Sequence, residues 1–394
     1  MIANPADQNN ISKAKKYPCV AILHKPELEE LNSKYTGGLG RMLLCDLQIF
    51  RNNRINHKLF LSANVDESVK SKHEVQGLLY SNKIREVVGL YFSDFISRSL
   101  FEFFYCLQFI FFARKFDLWI SYMNSSILTI FRPSTTISFF HDKPKLFQFR
   151  LFKSRYKRGR YIFCSQFLRN NFLLKYKIPK SRTTVLYNSV DKKSFFVKKT
   201  SDNKVVTFLY AGAWTEDKGL ELLANAIKAI PRKRKNFKVL LAGSTDLWRI
   251  GFSKGYKAHF KNKIIKLINK DERVEILGEI NHSEMNDLYN LADFLLLPSL
   301  CQESASLVVA ESSLCGVPSI IFDSGGAVEM QSGSEYDKVV RPSSAEALSL
   351  AIQEKIGKTL LKKERSLVRK KVIRNKKFSP VQREKKLLQI INDS

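Results

Sequence analysis

The segment over residues 294–329 alternates short apolar runs with a helical stretch, and this alternation restricts the fold more than any other feature of the chain. The apolar runs at 294–297 and 319–322 are typical of parallel strands that are buried on both faces. Between them, Gly316 and Pro318 end a predicted helix. A strand, a crossing helix and a second strand form the repeating unit of an α/β protein, which is the fold class that we predict.

The predicted helix of this segment begins just after Glu303, and Glu311 follows eight residues later. Ser304 and Ser306 can cap the start of the helix, where Leu307 is the first apolar residue. The free amides at a helix start, together with the helix dipole, favour a bound phosphate. Eight helical residues rise about 12 Å. If the helix reaches back near Glu303, this is roughly the span needed to contact a sugar at one end and a ribose at the other.

The same alternation of strands and helices fills both halves of the chain, and a polar stretch separates the halves. We therefore predict two doubly wound α/β domains in series, a first domain over residues 1–191 and a second domain over residues 204–375. The polar residues 192–203 form the predicted linker. The pattern of residues 376–394 predicts a final amphipathic helix.

Each half also places glycines at a turn between a predicted strand and the next helix. In the second half, the strand predicted at 205–211 is followed by Gly212, and Lys218 stands at the start of the next helix. A lysine in this place can reach a phosphate, although a lysine on an ordinary helix face is the alternative. In the first half, Gly37 and Gly38 either leave backbone amides open to a ligand or form an ordinary loop.

His141 follows an apolar run at 137–140 that we interpret as a strand. The carboxyl ends of parallel strands form the edge at which open α/β sheets bind ligands. His141 is therefore a candidate site residue, although a single histidine is more often structural.

The chain carries 66 lysines and arginines against 37 acidic residues, which gives a formal net charge of +29. Such a charge predicts an anionic partner, which is a nucleic acid, an acidic membrane surface or a phosphorylated substrate. Residues 143–160 are basic with interleaved aromatic residues, so they either face a lipid surface or form an exposed basic helix. Nucleic acid is not expected, because the chain lacks the signature of a nucleic-acid-binding module.

Residues 100–113 form the most apolar segment, and at about 14 residues they are too short to span a bilayer. We predict a core helix. A shallow contact with a membrane surface is the alternative, because Arg98, Arg114 and Lys115 flank the segment. The six cysteines are scattered without a CxxC pair, which favours reduced thiols in a cytosolic protein and argues against a metal site. The N-terminus lacks the apolar region of a signal peptide.

In their order and spacing, these elements resemble the retaining glycosyltransferases of family 4, which have the GT-B fold. The resemblance covers nearly the whole chain and is strongest over residues 205–329. Glu303 and Glu311 match the family's Glu-x7-Glu signature. The other matching residues lie in the glycine loops, at the strand ends and at the linker: Gly37, Gly38, His141, Asn188, Asp191, Gly212, Lys218, Gly219, Leu220, Gly316, Pro318, Gly325, Gly326 and Glu329.

The resemblance implies two Rossmann-like domains that face each other across a cleft, with the last helix crossing back onto the first domain. The second domain would hold a nucleotide-sugar donor, and the first domain a glycan or a lipid-linked diphosphate acceptor. Neither a metal ion nor another cofactor is expected. An anionic membrane surface is an expected partner, because similar bacterial enzymes often work at the inner face of the plasma membrane. The protein is thus expected in the cytoplasm or on that surface.

The resemblance also assigns roles to the matching residues. Among the implied catalytic residues, Lys218 stabilises the leaving diphosphate, Glu303 binds hydroxyls of the donor sugar, and His141 orients the sugar or the acceptor. Glu311 binds the ribose hydroxyls. The remaining implied donor-binding positions are Gly38, Gly212, and the backbone amides near Ser306 and Leu307.

The implied reaction is the transfer of a hexose-type sugar, with retention of its anomeric configuration, in capsule, O-antigen or lipopolysaccharide biosynthesis. Two residues depart from the family pattern: Ala213 stands where an arginine is common, and Ser306 stands where a glycine is common. Ala213 removes one charged contact to the diphosphate. A catalytically weak GT-B subunit that supports a partner enzyme is therefore an alternative, and another nucleotide-sugar enzyme of this fold, such as an epimerase, is a further one.

Overall fold

The computed structural model describes residues 17–24, 38–61, 67–78, 94–122, 127–143, 146, 149–198, 205–245, 254–268 and 271–394. Several parts of the predictions lie outside these residues: residues 1–16, Gly37 of the first glycine turn, residues 144–145 and 147–148 of the basic segment, and residues 199–203 of the predicted linker. Within the described residues, the chain forms two parallel β-sheets with helices between the strands, which confirms the predicted α/β class.

The first half of the chain builds one sheet. Its strands are β1 (Val20–His24), β2 (His57–Leu61), β3 (Glu74–Gly77), β4 (Leu118–Tyr122), β5 (Thr136–Phe140), β6 (Arg160–Phe163) and β7 (Thr183–Val185). Among the described residues this sheet has seven parallel strands in the order β3-β2-β1-β4-β5-β6-β7. The helices of this half are α1 (Gly38–Asn52), α2 (Glu67–Lys70), α3 (Asp94–Ala113), α4 (Ile127–Phe131), α5 (Lys153–Tyr156) and α6 (Gln166–Tyr176).

The second half builds the other sheet. Its strands are β8 (Val206–Ala211), β9 (Phe237–Ala242), β10 (Val274–Gly278), β11 (Phe294–Leu297), β12 (Ser319–Phe322) and β13 (Lys338–Val340). In the part of the chain that the structure describes, these six strands run parallel in the order β10-β9-β8-β11-β12-β13. The helices are α7 (Leu220–Ala229), α8 (Lys254–Ile268), α9 (Met285–Leu291), α10 (Leu307–Leu314), α11 (Ala345–Lys355), α12 (Lys362–Asn375) and α13 (Pro380–Asn392).

Burial on both faces explains the apolar runs in the sequence. Every residue of β1, β4, β5, β11 and β12 is buried, because helices cover both faces of a parallel sheet. The strands at 294–297 and 319–322 therefore begin and end where the sequence predicts. At the edge of the first sheet, all four residues of β3 are exposed or half-buried. This strand has no apolar run, and the sequence did not predict it.

Two predicted helices differ from the structure. The sequence pattern of residues 282–292 predicts one α-helix, but the segment begins as a 3-10 turn, His282–Glu284, and continues as α9. In the described part of residues 143–160, only α5 is helical, so the exposed basic helix considered for that segment is not formed there. The four residues of α5 bury only Tyr156. This single anchor gives a helix little tertiary support, and short helices depend on such support.

Helix α3 contains the most apolar segment of the chain, and it is buried on one face only. Tyr105 and Phe109 lie in the core of the first domain, whereas Phe104 and Phe111 are 59% and 62% exposed. The prediction of a core helix is therefore correct for one face and wrong for the other. Among the described residues, no helix is long and apolar enough to cross a membrane.

The last helix, α13, crosses back and completes the core of the first sheet. Its Leu387, Ile390 and Ile391 belong to the apolar cluster formed by the first-domain strands. On the same helix, Arg383 donates from Nε and Nη2 to the two carboxylate oxygens of Asp46, each at 2.6 Å. Both side chains are almost fully buried. Burial opposes the charge on Arg383, but Asp46 outweighs it and raises the pKa of the guanidinium.

Candidate active site

A lysine and a glutamate meet at the carboxyl edge of the second sheet. Lys218 Nζ lies 2.8 Å from Glu303 Oε1, and the Ser299 hydroxyl donates to the same oxygen at 2.6 Å. Burial lowers the pKa of Lys218, but the charge of Glu303 outweighs burial and raises the pKa overall. Lys218 is therefore a partly desolvated cation at neutral pH. The structure thus brings together two residues that the sequence placed in one site.

Gly219 allows this pairing because it brings two loops into backbone contact. Its φ is +69°, and a Cβ at this position would lie 1.8 Å from the carbonyl oxygen of Pro298. The amides of Leu300 and Cys301 both donate to the carbonyl of Asp217, at 2.8 and 3.1 Å. The loop that carries Lys218 is therefore fixed against the loop that leads to Glu303.

The Gly325-Gly326 loop holds the other side of Glu303. The Glu303 amide donates to Ser324 at 3.0 Å, and the Gly326 amide donates to the Glu303 carbonyl at 2.7 Å. A Cβ at Gly326 would lie 2.0 Å from the carbonyl oxygen of Ser304. The adjacent glycines therefore allow a close approach of two backbones, which explains why glycine is needed there.

Glu329, which follows these glycines, bonds to the first domain. Its carboxylate accepts hydrogen bonds from the amides of Gln166 and Phe167 at 2.9 and 2.6 Å, and from the Tyr187 hydroxyl at 2.8 Å. These two amides are the first of α6, where a carboxylate satisfies free donors and the helix dipole. Glu329 therefore joins the two domains in this structure.

The start of α10 presents backbone amides without a side-chain cap. Ser306 occupies the cap position, but in the described structure its hydroxyl accepts no hydrogen bond from the helix amides. The capping role predicted for Ser306 is therefore wrong. The start of α1 faces this point, because a Cβ at Gly38 would lie 3.6 Å from Leu307 Cδ1. The first amides of a helix have no acceptor within the helix, so the start of α10 suits a bound anion.

Glu311 lies in α10 one turn beyond this start, and three side chains contact its buried carboxylate. Arg41 Nη1 donates to Oε1 at 2.7 Å, and the Tyr289 hydroxyl donates to Oε2 at 2.8 Å. His282 Nε2 lies 3.4 Å from Oε1. Burial opposes ionisation, but Arg41, His282 and Tyr289 overcome it and lower the pKa of Glu311 to about 2. Glu311 is therefore ionised throughout the physiological range.

The sequence did not point to Arg41, His282 or Tyr289. Arg41 lies in the first domain, 270 residues before Glu311, so only the folded chain brings the two together. One signal was present: Arg41 lies in the first turn of α1, where the helix dipole disfavours a cation. A basic residue in that position, directly after a glycine turn, favours a role outside its own helix.

His141 follows β5 at the carboxyl edge of the first sheet, as predicted. Its ring stacks on Phe139 and Tyr122, with centroid distances of 6.5 and 6.2 Å. Burial lowers the pKa of His141 to about 3, and the charges of Arg383 and His24 contribute to the shift. His141 is therefore neutral at physiological pH, and it can donate or accept a hydrogen bond but cannot neutralise a phosphate.

Gly212 and Ala213 lie at the end of β8. The Gly212 amide donates to Ala242 at 3.1 Å, and the Tyr210 hydroxyl donates to the Ala213 carbonyl at 2.7 Å. A Cβ at Gly212 would meet the Tyr210 hydroxyl at 3.5 Å, which is an ordinary contact. Packing within the protein therefore does not require glycine at position 212. Close approach of a ligand to the backbone is one reason for a glycine there.

Cysteines and metal-ligating groups add little to this site. All six cysteines lie within the described ranges, where none forms a disulfide bond, and Cys106, Cys164 and Cys315 are buried. Cys301 Sγ lies 3.8 Å from Lys218 Nζ. Among the described residues, no group of three or more histidine, cysteine, aspartate or glutamate side chains converges to hold a metal ion.

The contact between Gly219 and Pro298 is testable with a matched pair of variants. Gly278 has a similar φ of +73°, and among the described residues a Cβ there would meet nothing within 4 Å. Gly278→Ala should lower the free energy of unfolding by about 1–2 kcal/mol, which is the cost of the left-handed conformation for a residue with a Cβ. Gly219→Ala should lower the melting temperature further, because its methyl group must also displace Pro298. Equal melting temperatures for the two variants would show that the backbone contact is not tight.

Comparison with known proteins places these features in a family context. Residues 191–374 match the family model described as "Glycosyl transferases group 1". The chain is 24% identical over 205 residues to an uncharacterized glycosyltransferase of Methanocaldococcus jannaschii, covering 48% of this chain and 49% of that protein. It is 28% identical over 168 residues to the lipopolysaccharide 1,2-N-acetylglucosaminetransferase of Salmonella typhimurium, covering 41% of this chain and 42% of that protein. The chain thus spans about half the length of the curated relatives it matches.

Solved structures extend the likeness to the whole fold. HepE from Anabaena, solved in complex with UDP-glucose, superimposes with a TM-score of 0.68 at 17% identity. This match covers 95% of the present chain and 100% of HepE. It confirms the predicted GT-B architecture, with two Rossmann-like domains and a C-terminal helix on the first domain. The second half of the chain is thus similar to the group 1 glycosyltransferases, and the chain shares the GT-B fold with the solved structures.

Proposed function

We propose that the protein is a retaining glycosyltransferase of family 4 that transfers a hexose-type sugar from a nucleotide-sugar donor. The observation that carries this proposal is the Lys218–Glu303 pair beside the uncapped start of α10, with Glu311 one turn further along that helix. The solved complex of HepE with UDP-glucose supports a UDP-sugar as the donor class.

The donor lies along α10 in this proposal. The amides at Ser306 and Leu307 bind the diphosphate together with Lys218, and Gly38 and Gly212 allow the donor to approach the backbone. Glu303 binds hydroxyls of the sugar, and Glu311 binds the ribose. Leu307 and Glu311 are four residues apart, which is about 6 Å along a helix axis. This separation suits a diphosphate at the helix start and a ribose one turn beyond.

The reaction breaks the bond between C1 of the sugar and the diphosphate oxygen. Negative charge grows on the leaving diphosphate, and Lys218 with the α10 amides stabilises it. The acceptor hydroxyl attacks the same face of the sugar, and the leaving phosphate takes its proton. The configuration at C1 is then retained without a protein nucleophile, unlike the usual retaining glycosidases. Glu303 instead positions Lys218 and the sugar, neutral His141 orients the sugar or the acceptor, and the mechanism uses no metal ion.

The acceptor in this proposal is a glycan or a lipid-linked oligosaccharide of capsule, O-antigen or lipopolysaccharide biosynthesis. The Salmonella relative is named as a lipopolysaccharide N-acetylglucosaminetransferase, which supports this class of acceptor. A lipid-linked acceptor requires the cytoplasmic enzyme to reach the inner face of the plasma membrane. Helix α3 exposes Phe103, Phe104, Leu107, Phe111 and Phe112 on one side. Phe104, Leu107 and Phe111 follow one another at spacings of three and four residues, so they form one stripe of the helix.

Exposed basic side chains lie in the same domain, on a segment that is connected to α3 through α4. Helix α3 packs on α4, and α4 packs on α5, whose exposed Lys153 and Arg155 are followed by exposed Lys157 and Arg158. Aromatic side chains beside basic ones suit the interface of an anionic bilayer, because the rings enter the headgroup region while the cations attract acidic lipids. The overall charge of +29 acts in the same direction.

The role of Lys218 predicts a loss of turnover on its removal. Lys218→Ala should slow donor-dependent transfer at least tenfold, which corresponds to about 1.4 kcal/mol of lost transition-state stabilisation. The assay is release of nucleoside diphosphate from UDP-, GDP- and ADP-sugars in the presence of lipid-linked acceptors. Lys263→Ala is the control, because this lysine lies on α8 and forms an ion pair with the carboxylate of Glu221, outside the proposed site. A loss below tenfold argues against the role, and a wild-type protein inactive on every pair favours the supporting-subunit alternative.

If the α3 stripe contacts a membrane, binding of the protein to anionic vesicles should weaken with salt and depend on the stripe. The double variant Phe104→Glu and Phe111→Glu should lose most of its co-sedimentation with vesicles that contain phosphatidylglycerol, because each change places a carboxylate at an acidic surface. Leu350→Glu is the control, since this residue is also exposed (68%) but lies on α11 in the second domain. Equal binding of wild-type protein to neutral and anionic vesicles, or no effect of the α3 changes, would contradict the proposed role of α3 in membrane binding.

A further inference from the structure

The proposed donor site lacks one cation at Ala213. In the family that the chain resembles, an arginine commonly follows the glycine at position 212 and contacts the diphosphate. The methyl group of Ala213 cannot make such a contact. In the proposed mechanism, Lys218 is then the charged side chain that stabilises the leaving diphosphate. A diphosphate carries at least two negative charges, and a forked guanidinium binds phosphate oxygens better than a single ammonium does.

Arg41 is an arginine that reaches the same helix from the other domain. It lies in the first turn of α1, whose start faces the start of α10 at the contact between Gly38 and Leu307. In the free protein its Nη1 contacts Glu311 Oε1 and also His282 Nε2. Since Glu311 is about 6 Å beyond Leu307 along the helix axis, the guanidinium lies about one helical turn from the start of α10.

The present position of Arg41 leaves it incompletely satisfied. Its Nε is buried and, among the described residues, has no hydrogen-bond partner. A buried donor without an acceptor is costly. The cation also lies at the positive end of its own helix dipole, which is a second unfavourable term. A diphosphate at the start of α10 would remove both costs, because it offers several acceptor oxygens and a negative charge.

We propose, on the basis of the function proposed above, that Arg41 is a donor-binding residue that gives the diphosphate the guanidinium missing at Ala213. When the donor binds, Arg41 leaves Glu311 Oε1 for the diphosphate, and the ribose hydroxyls replace it on that oxygen. The Tyr289 hydroxyl keeps its bond to Oε2, and His282 stays beside Oε1. Each group that Arg41 leaves thus keeps a partner. The first domain thereby contributes directly to donor binding, and the two domains must stay together for full affinity.

The test compares a nucleoside diphosphate with its nucleoside by isothermal titration calorimetry. UDP and uridine are the first pair, and the GDP and ADP pairs follow if wild-type protein does not bind UDP. Arg41→Ala should weaken UDP binding about tenfold or more, since a hydrogen bond between charged groups is lost. Uridine should bind as well as before or more tightly, because Glu311 is released. Arg41→Gln should behave in the same way, and it keeps a neutral donor for Glu311 if the alanine variant folds poorly.

Restoring the missing arginine completes the test. In the double variant Arg41→Ala with Ala213→Arg, UDP affinity should recover while uridine affinity stays as in Arg41→Ala alone. The proposal is overturned if the Arg41 variants change UDP and uridine affinity by the same factor, or if UDP binds more tightly; Arg41 would then only block Glu311. A wild-type protein that binds none of the three nucleoside diphosphates overturns the proposed function itself, and this inference with it.

Discussion

The second-domain half of the site depends on the backbone contact between Gly219 and Pro298. A side chain at 219 would overlap the Pro298 carbonyl, so this contact exists only with glycine. It places Lys218 against Glu303 and keeps the lysine charged in spite of its burial. An ammonium that is already oriented and partly desolvated needs little reorganisation when charge develops on a leaving group. The position of a single glycine therefore determines the electrostatics of the proposed reaction.

The first domain is joined to this site by side chains that cross between the two sheets. Glu329 of the second domain accepts a hydrogen bond from an amide at the start of α6. Arg41 of the first domain donates a hydrogen bond to the carboxylate of Glu311. The buried pair of Arg383 and Asp46 fastens the last helix to the first domain. Breaking such a buried pair by removing one partner costs about 3–5 kcal/mol. The relative position of the domains and the state of the donor site are therefore coupled through a few charged contacts.

The sequence predicted those parts of the fold in which local pattern and burial agree. The sequence predicts strands at 237–242, 294–297 and 319–322 and a helix at 345–355, and β9, β11, β12 and α11 have these bounds. Apolar runs that are buried on both faces and a capped amphipathic helix leave clear patterns in a sequence. Helix α12 was not predicted, since most of its residues are charged and only Arg365, Val368 and Val372 are buried. The exposed side of α3 agrees only with the alternative of a membrane-surface contact, because aromatic residues on all sides of the helix favoured a core position.

The candidate site was predictable as far as motif spacing extends. Lys218 and Glu303 do meet, and Glu311 is buried near them in α10. The partners of Glu311 were not predictable, because Arg41 is 270 residues away in the sequence and Tyr289 belongs to another helix. The contact of Glu329 with α6 likewise depends on how the two domains pack. Sequence spacing thus indicates which residues of one segment act together, whereas the tertiary fold determines what they touch.

A crystal structure of the protein with a bound nucleoside diphosphate tests the central claim most directly. We expect electron density for the diphosphate at the start of α10, within hydrogen-bond distance of Lys218, and for the ribose hydroxyls on Glu311. A nucleotide bound elsewhere, or one whose ribose does not contact Glu311 and whose phosphates do not contact Lys218 or the amides at Ser306 and Leu307, would contradict it.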